Sequence, residues 1–180
     1  MRKLGIDVGS TTVKLVLTDE KNNILYKRYE RHMSSVFEKV KQLLEELIAK
    51  EGDHDVKCVI TGSGGLALAE KIGARFEQEV VTCSVAVQRL IPQTDVAIEL
   101  GGEDAKITYF GASIEQRMNG TCAGGTGAFI DQMAILLNTD GDGLNEAAKN
   151  YRVIYPIAAR CGVFAKTDIQ PLINEGATRE

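Results

Sequence analysis

Alternating and periodic apolar positions extend through most of the chain and predict an α/β fold. Two runs near the start alternate apolar residues with small or polar ones and therefore predict strands. They are Leu4, Ile6 and Val8, then Val13, Leu15 and Leu17. A third strand is predicted at residues 24–29. Apolar residues then recur at helical spacing up to Gly52, and Ser35 and Glu38 have the spacing of a capping box at the start of that helix.

The rest of the chain alternates strand patterns with helix patterns in the same way. Strands are predicted at residues 56–60, 96–100 and 105–109. Helices are predicted to end at Ile72 and to cover residues 82–90, 126–137 and 164–173. Alternation of this kind indicates sheets flanked by helices.

An acid, a glycine and a lysine recur with the same spacing in two strand-turn-strand segments. They are Asp7, Gly9 and Lys14 in the first segment, and Glu99, Gly101 and Lys106 in the second. The separation is 92 positions in every case, and the same offset aligns the neighbouring strands and the helix starts. We therefore predict an internal duplication of a strand-turn-strand-strand-helix unit, with domains at residues 1–94 and 95–180.

The first repeated turn carries groups suited to a polyphosphate and magnesium. Glycine allows close approach of the backbone, while hydroxyl, N–H and ammonium groups can contact phosphate oxygens. These candidates are Gly9, Ser10, Thr11, Thr12 and Lys14. Asp7 can hold hydrated Mg²⁺. Gly101 and Gly102 are the candidates in the second turn, and two such turns facing one cleft would clasp a polyphosphate. The alternative is a plain hairpin turn with a solvated lysine.

A cysteine lies in a glycine-rich turn directly before an apolar helical run, in the sequence GTCAGGTGAF at residues 120–129. A helix starting near Thr126 directs the positive end of its dipole back towards Cys122, which suits a thiolate or a bound anion. Gly125, Thr126 and Gly127 are therefore candidate cofactor contacts. The alternative is an ordinary buried cysteine at a helix start.

Composition and charge narrow the functional classes. The 180 residues carry a net charge of −4 and no basic cluster, so neither nucleic acid nor a membrane surface is an expected partner, and we expect a cytoplasmic protein. The four cysteines form no CxxC pair. Cys58 is predicted to fill the core, and His32 and His54 are predicted to be solvated surface residues.

Two segments resemble the phosphate-binding loops of the superfamily that contains acetate kinase, sugar kinases, heat-shock chaperones and actin. They are GIDVGSTTVK at residues 5–14 and ELGGED at residues 99–104. The resemblance implies duplicated actin-like (ribonuclease H-like) ATPase domains with mixed sheets flanked by helices, closing over ATP. GTCAGGTGAF and the segment RCGVFAKTD at residues 160–168 look most like the ATPase activators of 2-hydroxyacyl-CoA dehydratases and the ATPase subunits of benzoyl-CoA reductase.

This closer resemblance implies a specific chemistry. Cys122 and Cys161 would hold one four-iron four-sulfur cluster shared between two identical subunits, since a cubane cluster takes about four thiolates. ATP or ADP with Mg²⁺ would bind at the phosphate loops. The ATPase would drive a low-potential electron from a ferredoxin-like donor into a dehydratase or reductase component, either separate or fused downstream.

The chain departs from the family pattern at several positions. Glu99 stands where the family usually has Asp, and Glu103 where it usually has Gln. With Asp7, these two acids are the candidate catalytic residues, because they can affect Mg²⁺ or the attacking water. Ala128 replaces a usual basic residue, and Gly120 and Thr121 replace the usual Asp-Lys pair.

Two alternatives remain open on the same fold: a small-molecule kinase, and a nucleotide-responsive assembly module without redox chemistry. Residues 137–155 are predicted to form an insertion, with the DGDG sequence at residues 140–143 as a loop. We expect the second domain to be truncated, because the strands and glycine turn that bind adenosine in the relatives are missing before Glu180.

Overall fold

A computed structural model describes residues 1–120 and 122–180 of the chain. Thr121, one of the positions at which the sequence departs from the family pattern, lies outside the described residues. The chain divides into two compact units, Met1–Asp95 and Val96–Glu180. Each unit is described below by itself. Their assignment as first and second actin-like subdomains stays a prediction.

The first unit is a five-stranded mixed sheet with helices. Its elements are β1 (Arg2–Val8), β2 (Thr12–Thr18), β3 (Ile24–Arg31), α1 (Val36–Glu51), β4 (Val56–Thr61), α2 (Gly65–Ile72), β5 (Arg75–Phe76) and α3 (Glu79–Leu90). The strand order is β3-β2-β1-β4-β5. Strands β1, β2 and β3 are antiparallel neighbours, whereas β4 runs parallel to β1. The ends of β1 and β4 therefore lie side by side, at the turn that follows Val8.

The core of the first unit lies on one face of this sheet. The alternating residues of β1 and β2 form that face, and α1 covers it with one apolar stripe. The fully buried side chains include Ile6, Val8, Val13, Leu15, Leu43 and Ile60. Each contributes roughly 1.5–3 kcal/mol of hydrophobic free energy. This core holds the end of β1, and with it Asp7, in a fixed position.

The second unit has a three-stranded antiparallel sheet and three helices. Its elements are β6 (Val96–Leu100), β7 (Ala105–Phe110), β8 (Ile114–Met118), α4 (Gly127–Leu136), α5 (Gly141–Lys149) and α6 (Gly162–Asn174). The strand order is β6-β7-β8. The order of three antiparallel strands followed by a helix thus occurs in both units, which supports the predicted repeat. A mixed α/β fold is confirmed.

Three local predictions are wrong. The Ser35–Glu38 capping box is not formed, because the Ser35 side chain makes no cap hydrogen bond. Residues 140–143 are not a loop: Asp140 is the N-cap of α5, and its carboxylate accepts a hydrogen bond from the Gly143 N–H at 2.8 Å. An aspartate before a helix supplies the acceptor that the first turn lacks. Helix α3 also begins at Glu79, three residues before its predicted start.

Every helix in the described part of the chain is too short or too polar to cross a lipid bilayer.

Candidate functional site

The two repeated turns have the same backbone hydrogen bond. Loop 1, residues 8–12, is closed by the Gly9 N–H, which donates to the Thr12 carbonyl oxygen at 2.9 Å. Loop 2, residues 100–104, is closed by the Gly101 N–H, which donates to the Asp104 carbonyl oxygen at 2.8 Å. Donor and acceptor positions correspond under the 92-residue offset. The sequence repeat is therefore also a repeat of hairpin geometry.

The acid and the lysine of each repeat are cross-strand partners. Asp7 pairs with Lys14 across β1 and β2, and Glu99 pairs with Lys106 across β6 and β7. The Lys14 ammonium lies 3.0 Å from the Asp7 carboxylate and stacks over the ring of Tyr29 at 5.2 Å from its centroid. The buried Lys106 ammonium lies 3.3 Å from Asp104 in loop 2. Each hairpin thus places a cation beside its turn. Half-buried Lys14 can neutralise an anionic phosphate oxygen, whereas Lys106 is buried against Asp104.

Asp7 has one carboxylate oxygen engaged and one that is not. Lys14 contacts Oδ2, whereas Oδ1 is buried and has no hydrogen-bond partner among the described residues. Gly62, at φ +91°, lies against Oδ1 and the Val8 carbonyl, where a side chain would clash with both. An unpaired buried carboxylate oxygen costs about 1–3 kcal/mol. A hydrated Mg²⁺ would supply the missing partner, so the Asp7 site fits the predicted metal.

The carbonyl oxygens of loop 1 accept hydrogen bonds from other parts of the first unit. The Gly64 N–H donates to the Val8 carbonyl at 2.9 Å, and the His32 N–H donates to the Thr11 carbonyl at 3.2 Å. The His32 ring contacts the Gly9 carbonyl through Nε2 at 3.1 Å. His32 is only 7% exposed, so the prediction of a solvated histidine is wrong. The sequence did not indicate this burial, because a single histidine after a polar strand belongs to no apolar repeat. His54 is exposed, as predicted.

Loop 2 is held by the first residues of α4. The Gly127 N–H donates to the Gly101 carbonyl at 2.7 Å, and the Ala128 N–H donates to the Gly102 carbonyl at 3.2 Å. The hydroxyl of the fully buried Thr126 lies 3.1 Å from the same Gly102 oxygen. These N–H groups are therefore engaged by loop 2 rather than open to a ligand. Helix α4 can therefore act on Cys122 through its dipole, but not through these N–H groups.

Asn119 links loop 2 to the cysteine turn, residues 122–126. Its side-chain oxygen accepts a hydrogen bond from the Ala105 N–H at 2.9 Å, and its side-chain nitrogen donates to the Cys122 carbonyl at 2.8 Å. Ala105 directly follows loop 2. Sequence reasoning missed Asn119, although asparagine is common in turns because its side chain can hydrogen-bond to the backbone.

The two candidate metal-binding cysteines lie in neighbouring turns of the second unit. The Gly124 N–H donates to the Cys122 sulfur at 3.3 Å. A side chain at Gly124 would meet the backbone of Gly162, the residue after Cys161, at 3.1 Å, so the two turns touch. Cys122 is exposed and Cys161, the N-cap of α6, is half-buried. By contrast, burial raises the pKa of the Cys58 thiol.

The other predicted contacts differ in accessibility. Ser10, Glu103 and Gly125 are exposed, Thr11, Glu99 and Gly102 are half-buried, and Thr12 is buried. No group of three or more histidine, cysteine, aspartate or glutamate side chains is placed to hold a metal ion within residues 1–120 and 122–180. The roles of the individual site residues stay predictions.

Residues 4–180 match the BadF/BadG/BcrA/BcrD ATPase family. The 2-hydroxyisocaproyl-CoA dehydratase activator of Clostridioides difficile is 29% identical over 187 residues, covering 100% of this chain and 69% of the activator. The (R)-2-hydroxyglutaryl-CoA dehydratase activating ATPase of Acidaminococcus fermentans is 28% identical over 181 residues, covering 98% of this chain and 69% of that ATPase.

A solved structure has the same fold. It is the activator of the 2-hydroxyisocaproyl-CoA dehydratase from Clostridium difficile with bound ADPNP, which superposes with a TM-score of 0.81 at 27% identity. The match covers 98% of this chain and 67% of that one. The resemblance predicted from the sequence, the actin-like fold and the enzyme class of ATPase are thereby confirmed.

Proposed function

The chain belongs to the BadF/BadG/BcrA/BcrD ATPase family, and on that premise we propose that it couples ATP hydrolysis to electron transfer into a 2-hydroxyacyl-CoA dehydratase-like enzyme. The electron donor is a cytoplasmic protein of the ferredoxin type. The acceptor is a dehydratase or reductase component. The curated relatives named above, a dehydratase activator and a dehydratase-activating ATPase, support the acceptor class.

The observation that carries this proposal is the hydrogen bonding between loop 2 and the cysteine turn. Thr126, at the end of that turn, donates from one hydroxyl towards the Ala123 carbonyl at 2.6 Å and the Gly102 carbonyl at 3.1 Å. Asn119 joins the other end of loop 2 to Cys122. A movement of loop 2 on phosphate binding or release is therefore passed to Cys122 through these hydrogen bonds. A coupled ATPase requires this, whereas a small-molecule kinase does not.

The chain's own residues take the following parts in ATP hydrolysis. Asp7 would hold hydrated Mg²⁺, which would supply positive charge to the phosphates, and Lys14 neutralises a phosphate oxygen. In loop 1, Gly9 permits close approach, while Ser10, Thr11 and Thr12 donate to phosphate. Glu99, in β6 directly before loop 2, and Glu103, within loop 2, influence the attacking water. In loop 2, Gly102 contributes its backbone N–H group, whereas Gly101, whose own N–H closes the loop, permits close approach of the backbone.

The cysteine turns fit an iron–sulfur cluster in their donor set. Cys122 and Cys161 supply two thiolates, the touching glycines bring their turns together, and the Gly124 N–H stabilises negative charge on the Cys122 sulfur. Two further thiolates come from a second copy of the chain, which makes the active form a homodimer. When bound, the cluster supplies a one-electron carrier of low potential.

Anaerobic reconstitution with iron and sulfide tests the proposal. We expect about four iron atoms per two chains, a paramagnetic signal on reduction, and a dimer by light scattering. Cys122→Ser and Cys161→Ser should each abolish the cluster. Cys58→Ser is the matched control, because its thiol is partly buried in the core of the first unit, and it should leave the iron content unchanged.

Two results would contradict the proposal. One is a cluster that forms equally well in both cysteine variants. The other is ATP hydrolysis by a protein that takes up no iron, which would favour the kinase or the non-redox assembly module.

A further inference from the structure

His32 occupies a buried position directly under loop 1. Its ring Nε2 lies 3.1 Å from the Gly9 carbonyl oxygen, and its ring Nδ1 lies 3.1 Å from the Ser34 nitrogen. Only 7% of the His32 surface is exposed to solvent. A histidine that is buried under a phosphate loop and engaged through both ring nitrogens is not needed to fill space, which an apolar residue would do at lower desolvation cost.

The two ring contacts determine which nitrogen carries the hydrogen. The Ser34 N–H can only donate, so Nδ1 must be the acceptor and carry no hydrogen. In the neutral ring the hydrogen then lies on Nε2, which donates it to the Gly9 carbonyl. The two contacts are satisfied together only by this tautomer.

The contact to Gly9 orients the next N–H group of the loop. The C=O of Gly9 and the N–H of Ser10 belong to one planar trans peptide and point in opposite directions. Because His32 contacts the Gly9 carbonyl oxygen, the Ser10 N–H points away from His32, and Ser10 is itself exposed. Glycine has more backbone freedom than other residues, so without this contact the peptide could rotate and present its carbonyl dipole to a phosphate.

The backbone after His32 is strained in a way that supports the same role. Met33 and Ser34 have φ values of +46° and +64°, which residues with a Cβ rarely adopt. The turn is closed by the Ser35 N–H, which donates to the His32 carbonyl at 2.7 Å. Strain of this kind is found where a particular side-chain position matters. Here the turn places the His32 ring against the Gly9 carbonyl and the His32 N–H against the Thr11 carbonyl.

We infer that His32 is a positioning residue for nucleotide binding, which fixes the Gly9–Ser10 peptide so that its N–H faces a phosphate of ATP. The inference rests on the proposed function, in which loop 1 binds the nucleotide phosphates. His32 touches neither phosphate nor Mg²⁺ itself. Its effect on binding passes through the Gly9 carbonyl.

Three substitutions at this position separate the hydrogen bond from simple packing. His32→Leu removes the donor and keeps an apolar side chain of similar size. His32→Gln places an amide N–H near the position of Nε2, where it can donate to Gly9. His32→Asn has a shorter side chain, whose amide lies near Nδ1 and cannot reach Gly9. His54→Leu is the matched control at the chain's other histidine, which is exposed.

The measurement is the affinity for Mg-ATP by calorimetry on the full chain, with thermal melting in parallel. We expect His32→Leu and His32→Asn to weaken binding by about tenfold, the effect of one lost hydrogen bond. The affinity of His32→Gln should stay within about threefold of that of the unchanged protein, and the affinity of His54→Leu should equal that of the unchanged protein. In the unchanged protein, nitrogen-detected NMR of the ring should show the Nε2–H tautomer.

The inference is overturned if His32→Leu binds Mg-ATP as tightly as the unchanged protein, if His32→Gln binds no better than His32→Asn, or if the ring carries its hydrogen on Nδ1. In each of these cases the unchanged protein still binds Mg-ATP, and Asp7→Ala still weakens binding. Failure of the proposed function appears differently, as an unchanged protein that does not bind Mg-ATP or an Asp7→Ala variant with full affinity. If His32→Leu does not fold, the glutamine and asparagine variants and the NMR tautomer decide the question.

Discussion

The hydroxyl of Thr126 lies 3.1 Å from the carbonyl oxygen of Gly102, so a single buried side chain joins the cysteine turn to loop 2. The same hydroxyl lies 2.6 Å from the Ala123 carbonyl within the turn. A hydroxyl has one hydrogen to donate, so it is shared between a carbonyl of the phosphate loop and a carbonyl beside Cys122. A shift of loop 2 changes how the hydroxyl hydrogen is divided between the two carbonyl oxygens, and so it affects the cysteine turn.

Thr126→Val should weaken that connection without changing the side-chain shape. Both carbonyls lose the hydroxyl donor but keep a backbone donor, the Ala128 N–H for Gly102 and the Thr126 N–H for Ala123, so we expect the free energy of unfolding to fall by about 0.5–1.5 kcal/mol. Urea denaturation measures this. The matched control is Thr167→Val, because the Thr167 hydroxyl is exposed in α6 and donates to the Phe164 carbonyl at 2.8 Å. If Thr167→Val lowers the free energy of unfolding as much as Thr126→Val does, the Thr126 contact stabilises the protein no more than an exposed one.

Asp7→Asn tests the unpaired carboxylate oxygen. The substitution keeps the side-chain shape but removes the charge that attracts Mg²⁺ and Lys14. We expect steady-state ATP hydrolysis at saturating Mg-ATP to fall by at least about a hundredfold. Asp55→Asn, at an exposed position before β4, is the control and should keep full activity. Equal hydrolysis rates in the Asp7 variant and the control would show that Asp7 is not a catalytic residue.

Gly62→Ala tests the close packing between loop 1 and the turn after β4. A methyl group there would clash with the Val8 carbonyl and the Asp7 carboxylate, and φ is +91°. We expect a loss of about 2 kcal/mol or more in the free energy of unfolding. Gly73→Ala is matched to it, since Gly73 has φ +67° but open space around it, and should cost about 1–2 kcal/mol of backbone strain alone. Similar losses for the two variants would mean that Gly62 is not tightly packed.

Thiol labelling of the iron-free protein compares the cysteines. Burial raises the pKa of the Cys58 thiol, so less of it is thiolate at a given pH, whereas Cys122 is exposed. With iodoacetamide near pH 8, mass spectrometry should find Cys122 alkylated well before Cys58. Raising the pH should increase the Cys58 rate, because the thiolate fraction grows as the pH approaches the raised pKa. Faster labelling of Cys58 would contradict its position in the core.

Much of the fold could be predicted because burial follows the repeats of the sequence. Strand β6 agrees with its predicted bounds, and the apolar stripe of α1 agrees at Val40, Leu43 and Leu47. Helix α5 could not be predicted, since its DGDG start is as typical of a turn as of a helix. The capping box failed for a related reason: spacing permits a cap, but the rotamer of Ser35 decides whether it forms.

The candidate site was predictable as a set of residue types but not as a set of contacts. The 92-residue spacing marked Asp7, Lys14 and their counterparts, and the strand registers pair the acid with the lysine in both hairpins. His32 and Asn119 escaped prediction, because single polar residues have no periodicity. Their partners are carbonyl and N–H groups that every residue possesses.

The amino-acid sequence by itself determined the α/β elements, the repeated acid-glycine-lysine turns and the cysteine between glycines, because these depend on local spacing. Tertiary structure alone decided what holds the turns in place. The Gly9 carbonyl meets the His32 ring, and the Gly102 carbonyl meets Thr126, only after strands and helices distant in sequence have packed together. The physical reason is that backbone hydrogen-bond groups are the same at nearly every position, so the partner of each is chosen by the fold and not by the residue that carries it.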